Sequence, residues 1–256
     1  MERREKITTF LKSSNVLSIK ALSELLKVST MTVRRDLETL AKEGIVQFYH
    51  GGVIFNPTFL KQESNPNDYF LQGQTMLHRD EKTAIARKAI ELPHSQETIM
   101  FDSGTTVYYL ARELSDTINL TAFVWSLNII EELIHKPQIN ILMQGGVYHP
   151  ETQMFESTQS QDIIKNSRAS KAFISAGGFH KSLGITCPFH YEVETKRTAI
   201  KHSMTNILLI DSSKFGKVCP AHMAETADFQ VIITDPGIPE EYEDFIRSSG
   251  LELIVA

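Results

Sequence analysis

The chain has 256 residues, of which 41% are hydrophobic and 22% charged, an ordinary composition for one large globular domain or two smaller ones. This composition excludes a disordered chain, a collagen-like repeat and a coiled coil. No apolar run approaches the roughly 18 residues of a membrane span, and the charged N-terminus lacks a signal-peptide apolar stretch. We therefore expect no membrane partner. Cys187 and Cys219 show no metal-type spacing, so we expect no metal or other cofactor and a reduced cytoplasmic compartment.

The net charge of −5 is unevenly distributed along the chain. Residues 1–56 contain nine Lys/Arg against six Asp/Glu, a net +3, whereas the remaining 200 residues contain 17 against 25, a net −8. A basic segment followed by an acidic one is typical of a chain whose first part faces a polyanion. A difference of this size also arises by chance, so the pattern needs support from the elements below.

Three short helices are predicted within residues 1–44, because apolar residues recur there with helical spacing. In chain order these residues are Ile7, Phe10 and Leu11; then Leu22, Leu25 and Leu26; then Val33, Leu37 and Leu40. Ser18 and Ser29 precede the second and third helices as N-caps, and Gly44 provides a C-terminal stop. Two helices joined by a short turn form the helix-turn-helix arrangement.

The polar face of the third helix suits the DNA major groove. Arginine forms bidentate bonds with guanine edges, and hydroxyl groups at a helix start contact phosphate. The residues expected to contact DNA in this segment are Ser29, Thr30, Met31, Thr32, Arg34 and Arg35. An isolated arginine pair is usually an ordinary solvated face, but three helices and the following hairpin agree in favouring DNA. Asp36 is predicted to be a local ion-pair or orienting partner.

The sequence IVQFYHGGVIF at residues 45–55 predicts two strands around His50-Gly51-Gly52. A hairpin directly after a recognition helix is a wing, and His50 is a further candidate contact to phosphate or the minor groove. Residues 1–56 are therefore predicted to form a winged helix-turn-helix domain. A linker is predicted over residues 57–77, because residues 56–77 contain two Asn-Pro pairs and show little periodicity of apolar residues.

Residues 78–256 are predicted to form one α/β domain with a mainly parallel sheet. A helix over 80–90 precedes apolar strands at 98–101, 120–124, 139–143, 171–175, 206–210, 231–234 and 252–256. Near-continuous apolar strands that alternate with helices indicate a parallel sheet covered on both faces. In such sheets ligands bind beyond the carboxyl ends of the strands.

Polar residues and glycines follow five of these strands. They are Asp102, Ser103, Gly104, Thr105 and Thr106; Ser126 and Asn128; Gly145 and Gly146; Gly177 and Gly178; Asp211 and Lys214. Hydroxyl groups and a glycine before a helix are typical of a phosphate-binding loop, and the alternative is a helix start capped by Thr105 or Thr106. The paired glycines allow either close backbone approach or simple tight turns.

Glu192 and Lys196 are spaced i, i+4 on a predicted helix, where a surface ion pair is the simplest interpretation. Taken with the five polar strand ends, they favour one shared pocket for a small, hydroxyl-rich anion.

The segment VSTMTVRRDLETLAKEGIVQFYHGGV resembles the winged helix-turn-helix of the DeoR family of bacterial transcription regulators. The motifs FDSGTT, SLN, QGG, SAGG, the Glu192/Lys196 pair and DSSKFGK resemble, in order, that family's effector domain, which is similar in fold to ribose-5-phosphate isomerase. The resemblance covers essentially the whole chain. It implies double-stranded operator DNA and a phosphorylated sugar as partners, a homo-oligomer (a dimer or higher), and repression relieved by the effector.

The resemblance also implies roles for residues. Ser103, Gly104, Thr105 and Thr106 would hold the phosphate, and Asp102 would shape their loop. The residues that would contact sugar hydroxyls or the carbonyl are Asn128, Glu192, Asp211 and Lys214.

Trp125, the chain's only tryptophan, stands where many family members have a small polar residue. Together with Thr186-Cys187 and residues 213–223, it is similar to the family's deoxyribose-operon regulators, which implies deoxyribose 5-phosphate as the effector. Simple core packing is the alternative for Trp125. Trp125 is therefore consistent both with deoxyribose 5-phosphate as the effector and with a purely structural role in the core.

Two other functions are consistent with parts of this sequence. A sugar-phosphate isomerase would use Glu192 or Asp211 as a general base and Lys214 as an electrophile. An architectural DNA-binding protein would need no ligand. We favour a regulator over an enzyme, because an isomerase gains nothing from a DNA-reading segment.

Overall fold

A computed structural model describes residues 3–14, 16–42, 45–49, 52–55, 71–157 and 161–256. The chain divides into two compact units, Met1–Met76 and Leu77–Ala256. The predictions for Gly44, His50, Gly51 and linker residues 57–70 lie outside the described residues. Within the described ranges, no helix has the length and apolar character needed to cross a membrane.

Three helices form the first unit's core: α1 (Arg3–Ser14), α2 (Ile19–Leu26) and α3 (Thr30–Lys42). The buried residues of this cluster are Ile7, Leu11, Leu22, Val33, Leu37 and Leu40 on the helices, together with Val46 and Val53 on two strands that follow them. The prediction for Leu25 is wrong, since its side chain is 53% exposed. A helix of eight residues buries one side, here centred on Leu22, and Leu25 lies about 60° away around the axis.

Both predicted N-caps are confirmed. Ser18 Oγ accepts a hydrogen bond from the backbone N–H of Ala21 at 3.0 Å, and Ser29 Oγ accepts one from Thr32 at 3.2 Å. Each cap satisfies an N–H group that has no partner within its own helix. The starts of α2 and α3 are thus fixed by serine side chains whose capping role can be recognised in the sequence.

The wing hairpin is confirmed as strands β2 (Val46–Tyr49) and β3 (Gly52–Phe55), which pair antiparallel. A short strand β1 (Val16–Leu17) pairs with the other edge of β3 and was not predicted, because two residues show no alternation. Helix α4 (Leu71–Met76) forms where the sequence indicates linker. Its residues, LQGQTM, contain a glycine and no helical apolar period, so the pattern gave no signal.

The second unit contains a seven-stranded sheet of order β15-β14-β12-β9-β4-β5-β6, in which every neighbouring pair is parallel. Its strands are β4 (Thr98–Phe101), β5 (Leu120–Val124), β6 (Ile139–Met143), β9 (Ala169–Ser175), β12 (Ser203–Leu209), β14 (Val231–Thr234) and β15 (Glu252–Val255). The predicted mixed α/β fold with a mainly parallel sheet is confirmed.

Helices cover both faces of this sheet. They are α5 (Arg79–Ala89), α6 (Thr105–Glu113), α7 (Leu127–Leu133), α8 (Gln161–Asn166), α9 (His190–Lys201) and α10 (Glu240–Ser248). Met100 belongs to one core cluster with α8, α9 and α10, whereas its neighbour Phe101 belongs to another with α5, α6 and α7. Consecutive strand residues point to opposite faces, so one apolar strand supplies both cores.

Two smaller sheets complete the unit. Strands β10 (Gly178–His180), β11 (Gly184–Cys187) and β13 (Ala221–Ala224) form an antiparallel sheet, and β7 (Val147–His149) pairs with β8 (Met154–Glu156). These strands were not predicted, because three or four residues interrupted by glycines carry little period-2 pattern.

The strand order reverses between β4 and β9. From β4 the chain adds β5 and β6 on one side, and from β9 it adds β12, β14 and β15 on the other. The crevice at the carboxyl ends of the two strands on either side of such a reversal is the usual ligand site of an open parallel sheet. Here the crevice is flanked by Asp102, which follows β4, and by Ser175, which ends β9.

Candidate functional site

Helix α3 presents a polar face to solvent on the side opposite its apolar anchor. Arg34 and Arg35 are exposed, and Met31 is 59% exposed. Val33 and Leu37 on the other face are fully buried. A helix held by one face and carrying two exposed guanidinium groups on the other can enter a major groove. Of the other predicted contacts, Ser29 and Thr30 are exposed and Thr32 is half-buried.

Asp36 is an ion-pair partner, as predicted, but its partner is in α1 rather than beside it. Arg3 Nε lies 2.5 Å from Asp36 Oδ2, and Arg3 Nη2 donates to Asp36 Oδ1 at 3.0 Å. Two parallel bonds of this kind fix orientation as well as distance. The pair therefore orients α3 against α1 while the neighbouring arginines face outward.

A buried charge network lies at the switch point of the sheet. Lys196 Nζ on α9 lies 2.5 Å from Asp102 Oδ2 and 3.5 Å from Glu192 Oε2. Asp102, Lys196 and Glu192 are at most 4% exposed. The interpretation of Glu192 and Lys196 as a surface pair is wrong, because α9 packs this face against the end of β4 and Asp102 supplies the stronger partner.

The network holds its lysine in the charged form. Burial alone would lower the pKa of Lys196, but Asp102 and Glu192 outweigh it and raise that pKa above its ordinary value. Burial raises the pKa of Glu192, and the nearby Asp102 raises it further, while Lys196 opposes both. One cation thus stands between two carboxyl groups, and none of the three is an exposed charge awaiting a ligand.

Ser175 connects the end of β9 to the end of β4 through hydrogen bonds, and Gly104 leaves the space that Ser175 occupies. The backbone N–H of Ser175 donates to Asp102 Oδ2 at 2.9 Å, and Ser175 Oγ lies 3.0 Å from both that oxygen and Ser103 O. A Cβ atom at position 104 would lie only 1.9 Å from Ser175 Oγ. Position 104 therefore requires glycine for space. Ser175 was not predicted as a site residue.

Helix α6 begins without a capping side chain. Gly104 occupies the N-cap position and makes no side-chain cap bond, whereas Thr105 and Thr106 lie inside the first turn and are buried. The alternative in which Thr105 or Thr106 caps the helix is therefore wrong. An uncapped N-terminus has unpaired N–H groups and a partial positive charge, which suits an anion such as phosphate.

The neighbouring strand ends add polar groups. Ser126 Oγ donates to Asn128 Oδ1 at 2.7 Å, and both residues are buried. Asp211 Oδ1 accepts bonds from the N–H and hydroxyl groups of Ser213, in a 3-10 turn that ends at the half-buried Lys214. Across the described ranges, no cluster of three or more His, Cys, Asp or Glu side chains is arranged to hold a metal ion.

Lys82 is a candidate site residue that the sequence reading missed. It is 1% exposed on α5, and its ammonium group donates to Leu77 O. Burial lowers the pKa of Lys82 to about 8, Asp211 raises it and Lys214 lowers it. These interactions place Lys82 in the electrostatic environment of the Asp211 loop. The sequence does contain an indication that Lys82 is buried, because Lys82 is spaced i, i+3 from Ile85 on the apolar face of the helix.

Three of the four paired glycines have packing reasons that need no ligand. A Cβ atom at Gly146 would lie 2.0 Å from Glu156 O, and one at Gly178 would lie 2.3 Å from Lys217 O. At Gly177 it would lie 2.7 Å from Cys219 Sγ, whereas Gly145 has open space around it. Gly146, Gly177 and Gly178 therefore allow close approach between neighbouring segments.

Six buried side-chain atoms have no hydrogen-bond partner within the described part of the chain, and five of them lie at the carboxyl end of the sheet. These five are Trp125 Nε1, Asn128 Nδ2, Gln144 Oε1, Asp211 Oδ2 and Thr234 Oγ1. Buried polar groups are normally paired, so these unpaired atoms are available to bind a ligand. Their concentration at one edge marks that edge as a polar site.

Comparison with protein families assigns both units. Residues 3–59 match the DeoR-like helix-turn-helix domain, and residues 77–236 match the DeoR C terminal sensor domain.

Relatives span the whole chain. The deoxyribose operon repressor of Escherichia coli strain K12 is 31% identical over 99% of this chain and 97% of its own length. The HTH-type transcriptional regulator GolR of Listeria innocua is 31% identical over 100% of this chain and 98% of its own. A putative aga operon transcriptional repressor of Escherichia coli O157:H7 is 28% identical over 99% and 93%.

Among solved structures, a ribose 5-phosphate isomerase from Methanocaldococcus jannaschii aligns with 54% of each chain, at 14% identity and a TM-score of 0.40. The fold described above rests on the strand order rather than on this alignment.

Proposed function

The chain belongs to the DeoR family of helix-turn-helix transcriptional repressors, and from that membership we propose that a phosphorylated sugar controls its binding to operator DNA. Residues 1–56 would read the operator, residues 57–77 would link, and residues 78–256 would bind the effector. The proposed DNA contacts are Ser29, Thr30, Met31, Thr32, Arg34, Arg35 and His50.

The observation that carries the effector site is the uncapped start of α6 at the switch point of the sheet. Ser103, Gly104, Thr105 and Thr106 surround the helix end and supply N–H and hydroxyl donors for a phosphate. The charge of Asp102 is already balanced by Lys196, so an incoming phosphate meets no bare carboxylate there. Phosphate would therefore bind mainly through helix-end N–H groups.

Two further sets of polar groups lie where the sugar would extend from the phosphate. Asn128 and Ser126 follow β5, and Asp211 with Lys214 follows β12. The resemblance implies that Glu192 contacts the sugar, but its oxygens already bind Phe189 N–H and face Lys196. In this proposal Glu192 and Lys196 therefore shape the site rather than touch the sugar, as do the glycines at 145, 146, 177 and 178. Lys82 joins the site as a second cation near Asp211.

Deoxyribose 5-phosphate is the effector we propose. A full-length relative named as a deoxyribose operon repressor, and the position of Trp125 beside the SLN motif, support this choice. GolR is equally identical, so sugars must be compared directly. An effector that prefers the conformation with weaker operator binding lowers operator affinity, and by linkage the operator lowers effector affinity by the same coupling free energy. A homo-oligomer that places two reading helices on repeated half-sites would transmit this change.

An operator-binding titration tests the proposal. An operator duplex would first be selected from a random DNA pool by its binding to the protein. The dissociation constant of the protein–duplex complex would then be measured in the presence of deoxyribose 5-phosphate, ribose 5-phosphate or inorganic phosphate. We expect deoxyribose 5-phosphate to weaken binding by about tenfold or more, within the usual range of allosteric coupling, and inorganic phosphate to have little effect. If no sugar phosphate changes the dissociation constant, the effector proposal is wrong.

The isomerase alternative makes a different prediction for the same samples. Glu192 Oε1 accepts the N–H of Phe189 at 3.3 Å, and Glu192 Oε2 faces Lys196, so both oxygens are engaged. A general base needs an oxygen within reach of the substrate proton. Asp211 Oδ2 has no hydrogen-bond partner within the described residues and is the remaining candidate base of this alternative. Because relatives over the full chain length are named as regulators, we expect no turnover of either sugar phosphate, and sustained conversion would favour an enzyme.

A further inference from the structure

Two unpaired polar atoms follow adjacent strands of the sheet. Val124 on β5 pairs with Met143 on β6, so the next residues, Trp125 and Gln144, stand side by side beyond the strand ends. Partner residues of a parallel pair point to the same face of the sheet. Both side chains are fully buried, and both Trp125 Nε1 and Gln144 Oε1 lack a hydrogen-bond partner within the described part of the chain.

Their hydrogen-bonding roles are unambiguous. The indole N–H of Trp125 can only donate. Gln144 Nε2 donates to the carbonyl of Phe155 at 3.3 Å, and because a carbonyl can only accept, this bond fixes which end of the amide is the free oxygen. One unpaired donor and one unpaired acceptor therefore remain.

Strand β8 links the two groups. The N–H of Phe155 donates to Trp125 O at 2.8 Å, and the carbonyl of the same residue accepts from Gln144. Asn128 lies two residues beyond Ser126, which bridges to Met154 on β8, and its Nδ2 is a third unpaired atom. The three residues with unpaired groups thus belong to segments that follow β5 and β6 and are bonded to one stretch of β8.

We infer that Trp125 and Gln144 bind a hydroxyl group of the sugar effector: the indole N–H of Trp125 donates a hydrogen bond to the hydroxyl oxygen, and Gln144 Oε1 accepts a hydrogen bond from the hydroxyl. A hydroxyl is a small group that donates one bond and accepts others, which matches this unpaired set. The inference rests on the proposed function, in which the phosphate is at the start of α6. Because both atoms are buried, β8 must shift to admit the ligand.

Trp125 provides its own probe, since it is the chain's only tryptophan. We expect deoxyribose 5-phosphate to change the tryptophan emission of the full chain, because a new hydrogen bond to the indole alters its excited state. Inorganic phosphate, which has no sugar hydroxyl, should leave the emission unchanged. Equal emission changes with both ligands would overturn the assignment.

A substitution tests the bond itself. Trp125→Phe removes the donor, and we expect it to weaken deoxyribose 5-phosphate binding about threefold to tenfold, the effect of one neutral hydrogen bond, with inorganic phosphate unaffected. Phe123→Leu is the matched control, because Phe123 is fully buried in the same core cluster two residues earlier and offers no donor. The control should destabilise the fold without changing either affinity.

The outcomes separate this inference from the function on which it rests. If the unsubstituted chain binds no sugar phosphate, the proposed effector and this inference both fail. If it binds deoxyribose 5-phosphate and Trp125→Phe leaves that affinity unchanged, or weakens phosphate and sugar phosphate equally, only the hydroxyl assignment fails. A water held permanently by Trp125 and Gln144 would give the unchanged result.

Discussion

The two units place positive charge in opposite ways. In the first unit, Arg34 and Arg35 stand exposed on α3, while the helix is held from its other face. In the second, Lys196 and Lys82 are each 1% exposed, and Lys196 is paired with Asp102. An extended polyanion can be met by solvated charges at a surface, whereas a small anion is selected by a buried, shaped site.

The difference follows from the charge of each unit's sequence. The second unit, Leu77–Ala256, contains 16 Lys/Arg against 23 Asp/Glu, a net charge of −7, so its long-range field repels anions. An anion site in that setting depends on short-range donors such as the uncapped start of α6. The exposed arginines of α3 are therefore expected to contribute to DNA affinity but little to stability, and the paired, buried Lys196 is expected to do the reverse.

Breaking the buried network should have the largest effect. Lys196→Met leaves Asp102 and Glu192 buried without their cation, and we expect a loss of about 3–5 kcal/mol in the free energy of unfolding. Urea denaturation of the second unit measures this loss. The matched control is Arg247→Met, which removes an exposed i, i+4 pair with Glu243 and should cost under about 1 kcal/mol. Equal losses would show that the network is not a special stabilising feature.

Lys82 predicts a pH dependence of stability. Its pKa in the folded chain is about 8 against an ordinary 10.5, so between these pH values the unfolded chain holds a proton that the folded chain has released. The stability of the wild-type chain relative to that of Lys82→Met should therefore rise by roughly 3 kcal/mol as pH increases from 8 to 10.5.

Urea unfolding at several pH values between 7 and 10.5 measures this difference. Lys88→Met, at an exposed position on the same helix, is the control and should retain the rise. A parallel dependence in all three proteins would remove Lys82 from the account.

Arg35→Ala should weaken binding to the selected operator by about 1–3 kcal/mol if Arg35 reads a base, while leaving stability nearly unchanged. Lys6→Ala removes an exposed cation from α1 and should weaken selected and random duplexes alike. Gel-shift titrations with both duplexes measure the ratio of affinities. An unchanged ratio for Arg35→Ala would remove it from the reading face.

The same contrast explains what could be predicted from sequence. The Ser18 and Ser29 caps, the apolar side of α3 and the strands of the parallel sheet depend on residues a few positions apart, and local patterns indicate them. Leu25 was mispredicted because periodicity does not tell how wide a stripe a short helix buries.

The site depends on distant partners that no local pattern reveals. Asp102 and Lys196 are 94 residues apart, and Asp102 and Ser175 are 73 apart. Their meeting requires the strand order and the packing of α9. The sequence therefore indicates which strand ends are polar. It does not indicate that the charge of Lys196 is balanced by Asp102, or that position 104 must be glycine because a side chain there would collide with Ser175.

The measurement that tests the central claim most directly is the effector response of Thr105→Ala. Operator affinity of the wild-type and variant chains would be measured across a titration of deoxyribose 5-phosphate. We predict equal operator affinity without effector, and an effector midpoint about tenfold higher in the variant, since a donor at the phosphate is lost. A response identical to that of the wild-type chain would contradict the claim that the start of α6 holds the effector's phosphate.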